Sequence, residues 1–308
     1  CSVFLILGAV ISGAGASHTL GKLGAINTVA GAFVVAFAAA MTVYLMTKAG
    51  YPVSTSQAIV GAIIGWNFFS GSPTDCNSLT KITLTWVACP ILSAAIAVIV
   101  YRLTALCIMR CKPHMFTLDM ATRQGLVLAG IMGSYSLGAN NIANVMGVFV
   151  PTSPFSDMEL FGILHVSSTQ QLFLLGGLAI ASGVFFYSKR VMMTVGTKIM
   201  TLSPVASLVS VLAHSIVLFL FASQGLESFL RDMNLPTIPL VPVSSSQAIV
   251  GAVVGIGLLK GGRSIRWRTL GGIACGWVTT PIIACLLSFI SLFIFQNVFQ
   301  QQTFLHAP

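Results

Sequence analysis

Acidic residues are scarce: six Asp and Glu stand against 15 Lys and Arg in 308 residues, and charged residues of both signs make up only 7% of the chain. A soluble fold of this length needs more polar surface than that. With 56% hydrophobic residues and a mean hydropathy of +0.94, the chain is an all-α polytopic protein of the cell membrane. The seven Cys include no C-x-x-C pair, and Cys89, Cys275 and Cys285 stand inside apolar runs, so neither a disulfide framework nor a metal site is expected. The net charge of +9 does not point to nucleic acid, because 11 of the 15 basic residues fall in three short stretches, Arg102 to Arg123, Lys189 to Lys198 and Lys260 to Arg268. These read as cytoplasmic loops under the positive-inside bias. No basic n-region or small-residue cleavage site precedes the first apolar run, and the chain opens on Cys1 rather than Met, which is expected of a fragment lacking its beginning.

What is present is a repeated peptide. Pro52 to Gly65 reads PVSTSQAIVGAIIG and Pro242 to Gly255 reads PVSSSQAIVGAVVG, identical at 11 of 14 positions at an offset of 190 (242 minus 52). Each copy sets Ser and Thr, after a helix-averse Pro, at the start of a short apolar helix. Helix starts carry unpaired N–H groups and the positive end of the dipole, which together bind anions. Two copies in an apolar chain point to a transporter with duplicated halves whose half-helices converge on one anion.

Nine apolar stretches are expected to span or enter the bilayer: Ser2 to Ala16, Asn27 to Thr47, Val53 to Phe69, Ile82 to Tyr101, Gln124 to Val150, Val166 to Tyr187, Ser203 to Ser223, Val243 to Leu259 and Thr269 to Phe295. Alternating from a cytoplasmic Arg102 to Arg123 loop places all three basic loops inside and the acidic segment at Asp157 and Glu159 outside. It also makes the halves inverted repeats, with their broken or half-helices meeting at the bilayer midplane. Trp86-Val-Ala-Cys-Pro90 matches Trp277-Val-Thr-Thr-Pro281 at the neighbouring offset of 191 (277 minus 86). The expected division is a first, incomplete repeat over 1–108, a cytoplasmic linker over 109–122, a second repeat over 123–298 and a tail over 299–308. The counterpart of Gln124 to Val150 is expected ahead of residue 1.

Within Gln124 to Val150 stands Gly138-Ala139-Asn140-Asn141-Ile142-Ala143-Asn144, a Gly and three Asn where amides are costly unless paired. A helix break here would free carbonyls that, with Asn oxygens, coordinate a hard cation. The competing reading is hydrogen bonding between packed helices. Other residues take structural readings: His214 as a membrane His bonded to a neighbouring helix, His165 as a lining residue near the outer end of a span, and the glycines Gly8, Gly13, Gly15, Gly176, Gly177 and Gly183 as close-packing positions. Trp86 and Trp277 read as packing or interface anchors.

The pairing of Gly-Ala-Asn-Asn-Ile-Ala-Asn with PVSSSQA, and of PVSTSQA with an inverted half, resembles the inorganic phosphate transporter (PiT) family over nearly the whole chain. That resemblance implies an anion site framed by Ser54, Thr55, Ser56, Gln57, Ser244, Ser245, Ser246, Gln247 and Asn140, and a cation site at Asn140, Asn141 and Asn144. It implies import of inorganic phosphate coupled to Na+ or H+, without a cofactor or resident metal, by a protein that is not an enzyme and whose partners are the anion, the cation, the bilayer and, if it assembles, a second copy in a homodimer. One departure matters: where the family motif has Asp, this chain has Asn141, so the site loses a formal charge. That raises sulfate as the rival anion, because sulfate carries no proton and prefers donors alone. A passive anion channel would also use helix ends and hydroxyls. An intramembrane hydrolase pairing one of these serines with His214 fits poorly, since the serine peptide is duplicated and the His is not.

Overall fold

The computed structural model describes residues 1–24, 26–49, 53–160 and 164–305, with the side chains at 160, 164 and 187–198 outside the description. Pro52 of the first peptide and the last three residues of the tail therefore lie outside the described residues, as do the side chains of the basic stretch Lys189 to Lys198. Among the described residues eleven helices follow one another: α1 (Ser2–Ser12), α2 (Ala14–Leu23), α3 (Val29–Lys48), α4 (Thr55–Ser70), α5 (Cys76–Cys111), α6 (Met115–Met146), α7 (Ser168–Lys198), α8 (Pro204–Ala222), α9 (Gln224–Asp232), α10 (Ser245–Leu259) and α11 (Trp267–Asn297). A hairpin of β1 (Met158–Leu160) and β2 (Leu164–Val166) precedes α7.

Local chemistry accounts for most of the helix starts. Thr28 caps α3 by accepting from Gly31 N at 3.0 Å, Asp75 caps α5 by accepting from Asn77 N and Ser78 N, and Ser167 forms a capping box with Gln170 at the start of α7. Ser203 caps α8, whose first position is Pro204. The chain turns at the end of α4 on Gly71, whose φ of 73° an L side chain rarely adopts.

Among the described residues five helices are long and apolar enough to cross a membrane: α3, α5, the first part of α7 (Ser168–Phe186), α8 and α11. The protein is thus an integral, multi-pass membrane protein. The nine expected stretches all become helix, but four of them differ from simple spans. Helices α1 and α2 form a pair bent by 62° at Gly13. Helices α4 and α10 have 16 and 15 residues, about 24 Å at 1.5 Å per residue, short of the ~30 Å hydrocarbon core. Helix α6 carries Asp119 and Arg123 in its early turns and three Asn in its last two. The apolar spans show most of their surface outward, as a lipid-facing chain must: Phe185 and Phe186 are 80% and 78% exposed. Only 11% of the apolar window of α5 is buried, whereas half of α8 is, which makes α8 the central post.

Three expectations are corrected here. The basic stretch Arg102 to Arg123, read as a loop, is helical except at Lys112–His114 between α5 and α6, where Lys112 adopts a φ of 41°. The basic stretch Lys189 to Lys198 belongs to the last turns of α7 rather than to a loop. His165 lines no span: it sits on β2 opposite Glu159, with Nδ1 3.2 Å from Oε1 and its side chain 81% exposed, because the acidic segment folds back as a hairpin before α7 begins.

The packing of the two short helices is reciprocal. Helix α4 lies against α3 and against α11, which carries Pro281, while α10 lies against α8 and against α5, which carries Pro90. Gly61 of α4 meets the Pro281 carbonyl of α11, and Gly251 of α10 meets the Pro90 carbonyl of α5; a Cβ at either glycine would collide with that backbone. Helices α1 and α6 approach in the same manner, with Gly8 on the Tyr135 carbonyl and Gly138 on the Leu5 carbonyl. Gly13 and Gly176 are likewise required by close neighbours, while Gly183 faces open space, so the close-packing reading holds for some of those glycines and not for it.

Candidate functional site

The two repeated peptides build the same local structure. Ser54 and Ser244 are N-caps in extended conformation, and their hydroxyls accept from Gln57 N at 3.3 Å and Gln247 N at 3.2 Å. The first backbone bond of each helix runs from Ala58 N to Ser54 O at 3.1 Å and from Ala248 N to Ser244 O at 3.0 Å. The N–H groups of Thr55 and Ser56, and of Ser245 and Ser246, lie ahead of those bonds and have no helical acceptor. Each mouth therefore offers backbone donors, hydroxyls and the positive end of a dipole, with no charged side chain on α4, on α10 or between Gly138 and Met146.

Helix α6 joins the two mouths. Asn140, fully buried, accepts from Val243 N at 2.9 Å through Oδ1 and donates through Nδ2 to Val243 O at 2.8 Å. Ser56 Oγ also donates to Val243 O, at 3.0 Å across 187 residues of sequence. Asn144 Nδ2 donates to Ser56 Oγ at 3.0 Å, to Thr55 Oγ1 at 3.4 Å and to Asn141 Oδ1 at 3.1 Å. A continuous chain of hydrogen bonds thus runs from α6 through the start of α4 to the residue that precedes the α10 cap. The expected site residues Thr55, Ser56, Asn140, Asn141 and Asn144 come together in it. Ser244 and Ser246 bond to each other at 3.0 Å, and Ser245 makes no side-chain hydrogen bond to a described residue.

Burial divides these residues by job. Ser54, Ser56, Gln57, Asn140, Asn144, Ser244 and Gln247 are buried, whereas Thr55 is exposed and Asn141, Ser245 and Ser246 are half-buried. The first group builds the frame, and the second is the part of the two mouths open to solvent.

The expected break at Gly138–Asn144 does not occur: α6 is continuous from Met115 to Met146 and passes into a 3₁₀ turn only at Gly147–Thr152. Gly138 is explained by the approaching Leu5 carbonyl, and the amides are satisfied sideways by Val243 and Ser56, so the helix keeps its own backbone bonds. No carbonyls are freed for a cation. Of the three Asn oxygens, those of Asn140 and Asn141 already accept hydrogen bonds, and only Asn144 Oδ1 is buried without a partner. Gln57 Oε1 and Gln247 Oε1 share that condition. His214, on α8, makes no hydrogen bond to a described residue, contrary to the expectation of a partner on a neighbouring helix.

Residues outside the repeated motifs also support the mouths. Cys89 Sγ lies 3.8 Å from Ser244 O, and Ser93 Oγ donates to Ala248 O at 2.6 Å, so α5 meets the first-turn carbonyls of α10. The signal for them was the Trp-x-x-x-Pro match around Pro90 and Pro281, which marked the helices but not these contacts.

The sequence profile described as the phosphate transporter family matches residues 1–288 and 228–306. The chain belongs to that family. Among individual relatives, the "Putative phosphate permease" of Methanocaldococcus jannaschii is 27% identical over 253 residues, covering 82% of this chain and 71% of its own. The "Sulfate permease CysP" of Bacillus subtilis is 25% identical over 307 residues, covering 96% of this chain and 76% of its own. A solved structure of a sodium-dependent phosphate transporter superposes with a TM-score of 0.74, covering 96% of this chain and 88% of that one at 22% identity, which establishes a shared fold. The family and the fold are those of transporters.

Proposed function

We propose that this protein imports inorganic phosphate by symport with Na+ or H+, binding the anion between the starts of α4 and α10. The observation that carries this reading is the hydrogen-bond chain Asn144–Ser56–Val243–Asn140, which ties two N-capped half-helix starts to one helix while leaving Thr55, Ser245 and Ser246 accessible. Two helix starts aimed at one volume stabilise an anion without a lysine or arginine. Coupling follows from electrostatics: inward movement of an anion against an inside-negative potential costs ~2.3 kcal/mol per charge per 100 mV, so a cation must accompany it. Asn144 Oδ1 is the oxygen of the α6 triad free to serve that cation. In this reading the halves, 1–108 and 123–298, are inverted about the site, and the reciprocal seating of α4 and α10 supports that arrangement.

Sulfate is a second reading with its own support. Asn141 brings an amide rather than a carboxylate, and the sulfate permease of Bacillus subtilis aligns over 96% of the chain. The deciding experiment is uptake of labelled phosphate and labelled sulfate into proteoliposomes, with sodium and proton gradients imposed separately. Phosphate uptake driven by one of the gradients is expected. Sulfate uptake that excess phosphate fails to compete away would replace the anion, and uptake indifferent to both gradients would replace symport by a channel.

A further inference from the structure

Among the described buried polar atoms without a partner, one donor and one acceptor recur at matching places in the two repeats. The indole Nε1 of Trp86 and of Trp277 are buried with no partner among the described residues, and so are the side-chain oxygens of Gln247 and Gln57. Buried polar groups rarely remain so unless something absent from the protein itself completes them. The helix contacts pair these orphans. Helices α5 and α10 run parallel, with Pro90 against Gly251 and Ala94 against Gly255. One turn earlier α5 carries Trp86 and α10 carries Gln247. On the other side Pro281 meets Gly61 and Cys285 meets Gly65, and one turn earlier stand Trp277 and Gln57. Both tryptophans also pack against the apolar core, as expected of packing anchors.

We infer that Trp86 with Gln247, and Trp277 with Gln57, form two equivalent seats at the mouths of α10 and α4, each holding one oxygen of the transported anion. The indole N–H donates and the amide oxygen accepts, so each seat fits a hydroxyl, which does both, better than a bare oxyanion oxygen, which only accepts. Neither the indole N–H nor the amide oxygen of a pair bonds to the other or to any other described residue, so each is left to a group from outside the chain. The two tryptophans are then specificity-determining residues: they favour a tetrahedral oxyanion bearing a hydroxyl, such as phosphate, over sulfate. This rests on the transport reading above for the identity of the ligand.

The test uses the full chain in lipid nanodiscs with its four tryptophans replaced by fluorotryptophan, followed by fluorine NMR. Resonances are assigned by Trp86→Phe and Trp277→Phe. Titration with inorganic phosphate is expected to shift the Trp86 and Trp277 signals saturably and to leave Trp66, already bonded to Thr303 O, and exposed Trp267 in place. Each Phe variant is expected to raise the half-saturation concentration for phosphate about tenfold while changing sulfate competition less, in keeping with one hydrogen bond to a charged group. Unmoved Trp86 and Trp277 signals overturn the seats. Equal shifts with sulfate overturn the hydroxyl preference. Shifts with phosphate in a protein that carries none across the membrane leave the seats standing and refute the transport reading instead.

Discussion

Replacing Asn140 by Ala tests whether α6 holds the α10 mouth in position. The substitution removes two hydrogen bonds to Val243, each worth ~0.5–1.5 kcal/mol net, and leaves the buried Val243 N–H without a partner, a further ~1–3 kcal/mol. The Val243 carbonyl keeps Ser56 Oγ, so the orphan is the donor alone. The overlap between these contributions puts the expected loss at roughly 2–4 kcal/mol. Ser56→Ala is the internal comparison. It removes the bond to a carbonyl that still receives Asn140 Nδ2, and the one accepted from Asn144 Nδ2, which keeps Thr55 and Asn141 as acceptors. No buried polar group is orphaned, so the cost is about 1–2 kcal/mol. Equilibrium unfolding in mixed micelles measures both, and the double variant measures their coupling through Val243. Because Val243 immediately precedes the Ser244 cap, Asn140→Ala is also expected to weaken phosphate binding. A variant within about 0.5 kcal/mol of the native protein, or no less stable than Ser56→Ala, would refute the claim that this amide anchors the site.

Thr55→Val and Ser245→Ala are each expected to raise the half-saturation concentration for uptake by about tenfold, with Ser228→Ala on α9 unchanged as the control; equal uptake by all three removes these hydroxyls from the site. Gly61→Val and Gly251→Val are expected to lose folded protein in detergent to a similar degree, since each drives a side chain into a proline carbonyl of the opposite half, while Gly183→Ala is tolerated; survival of either Val variant denies the reciprocal packing. At Asp75, outside the span, the Ser78 hydroxyl holds the carboxyl below its ordinary 3.8, so the cap contributes above that value and is lost as pH falls through the lowered folded pKa. Amide exchange at Asn77 and Ser78 should therefore quicken in Asp75→Ala at neutral pH, and an effect confined to acid would reverse the sign.

Much of this was legible because the chain repeats itself. The 190-residue offset located both helix mouths, and the apolar stretches located the helices. What stayed hidden was every contact whose partner lies far along the chain. Three Asn beside a Gly read as a helix break because nothing local satisfies them; Val243, 103 residues on from Asn140, does so instead. His214 was assigned a partner on general grounds, and none is present among the described residues. The tail offers a further case. Thr303 O accepts from Thr28 Oγ1 at 2.6 Å and from Trp66 Nε1 at 3.3 Å, fastening the end of the chain to the start of α3, and no local pattern around Thr303 announces it.

The exchange of short helices between halves has a consequence for biogenesis. Helix α4 ends at Ser70, and α11, the surface it rests on, begins at Trp267. At ~5–20 residues synthesised per second, the ribosome reaches α11 roughly 10–40 s after α4 has emerged. Throughout that interval a helix too short to cross the bilayer has at most α3 and the smaller contacts with α2 and α6 beside it, but not the helix that covers its glycine face. Its glycine face, shaped for a proline carbonyl not yet made, must be sheltered by lipid or by the insertion machinery. Neither half can complete its own packing first, so a chain halted before α11 is expected to be cleared as an unfinished whole, even though most of its residues are already in place.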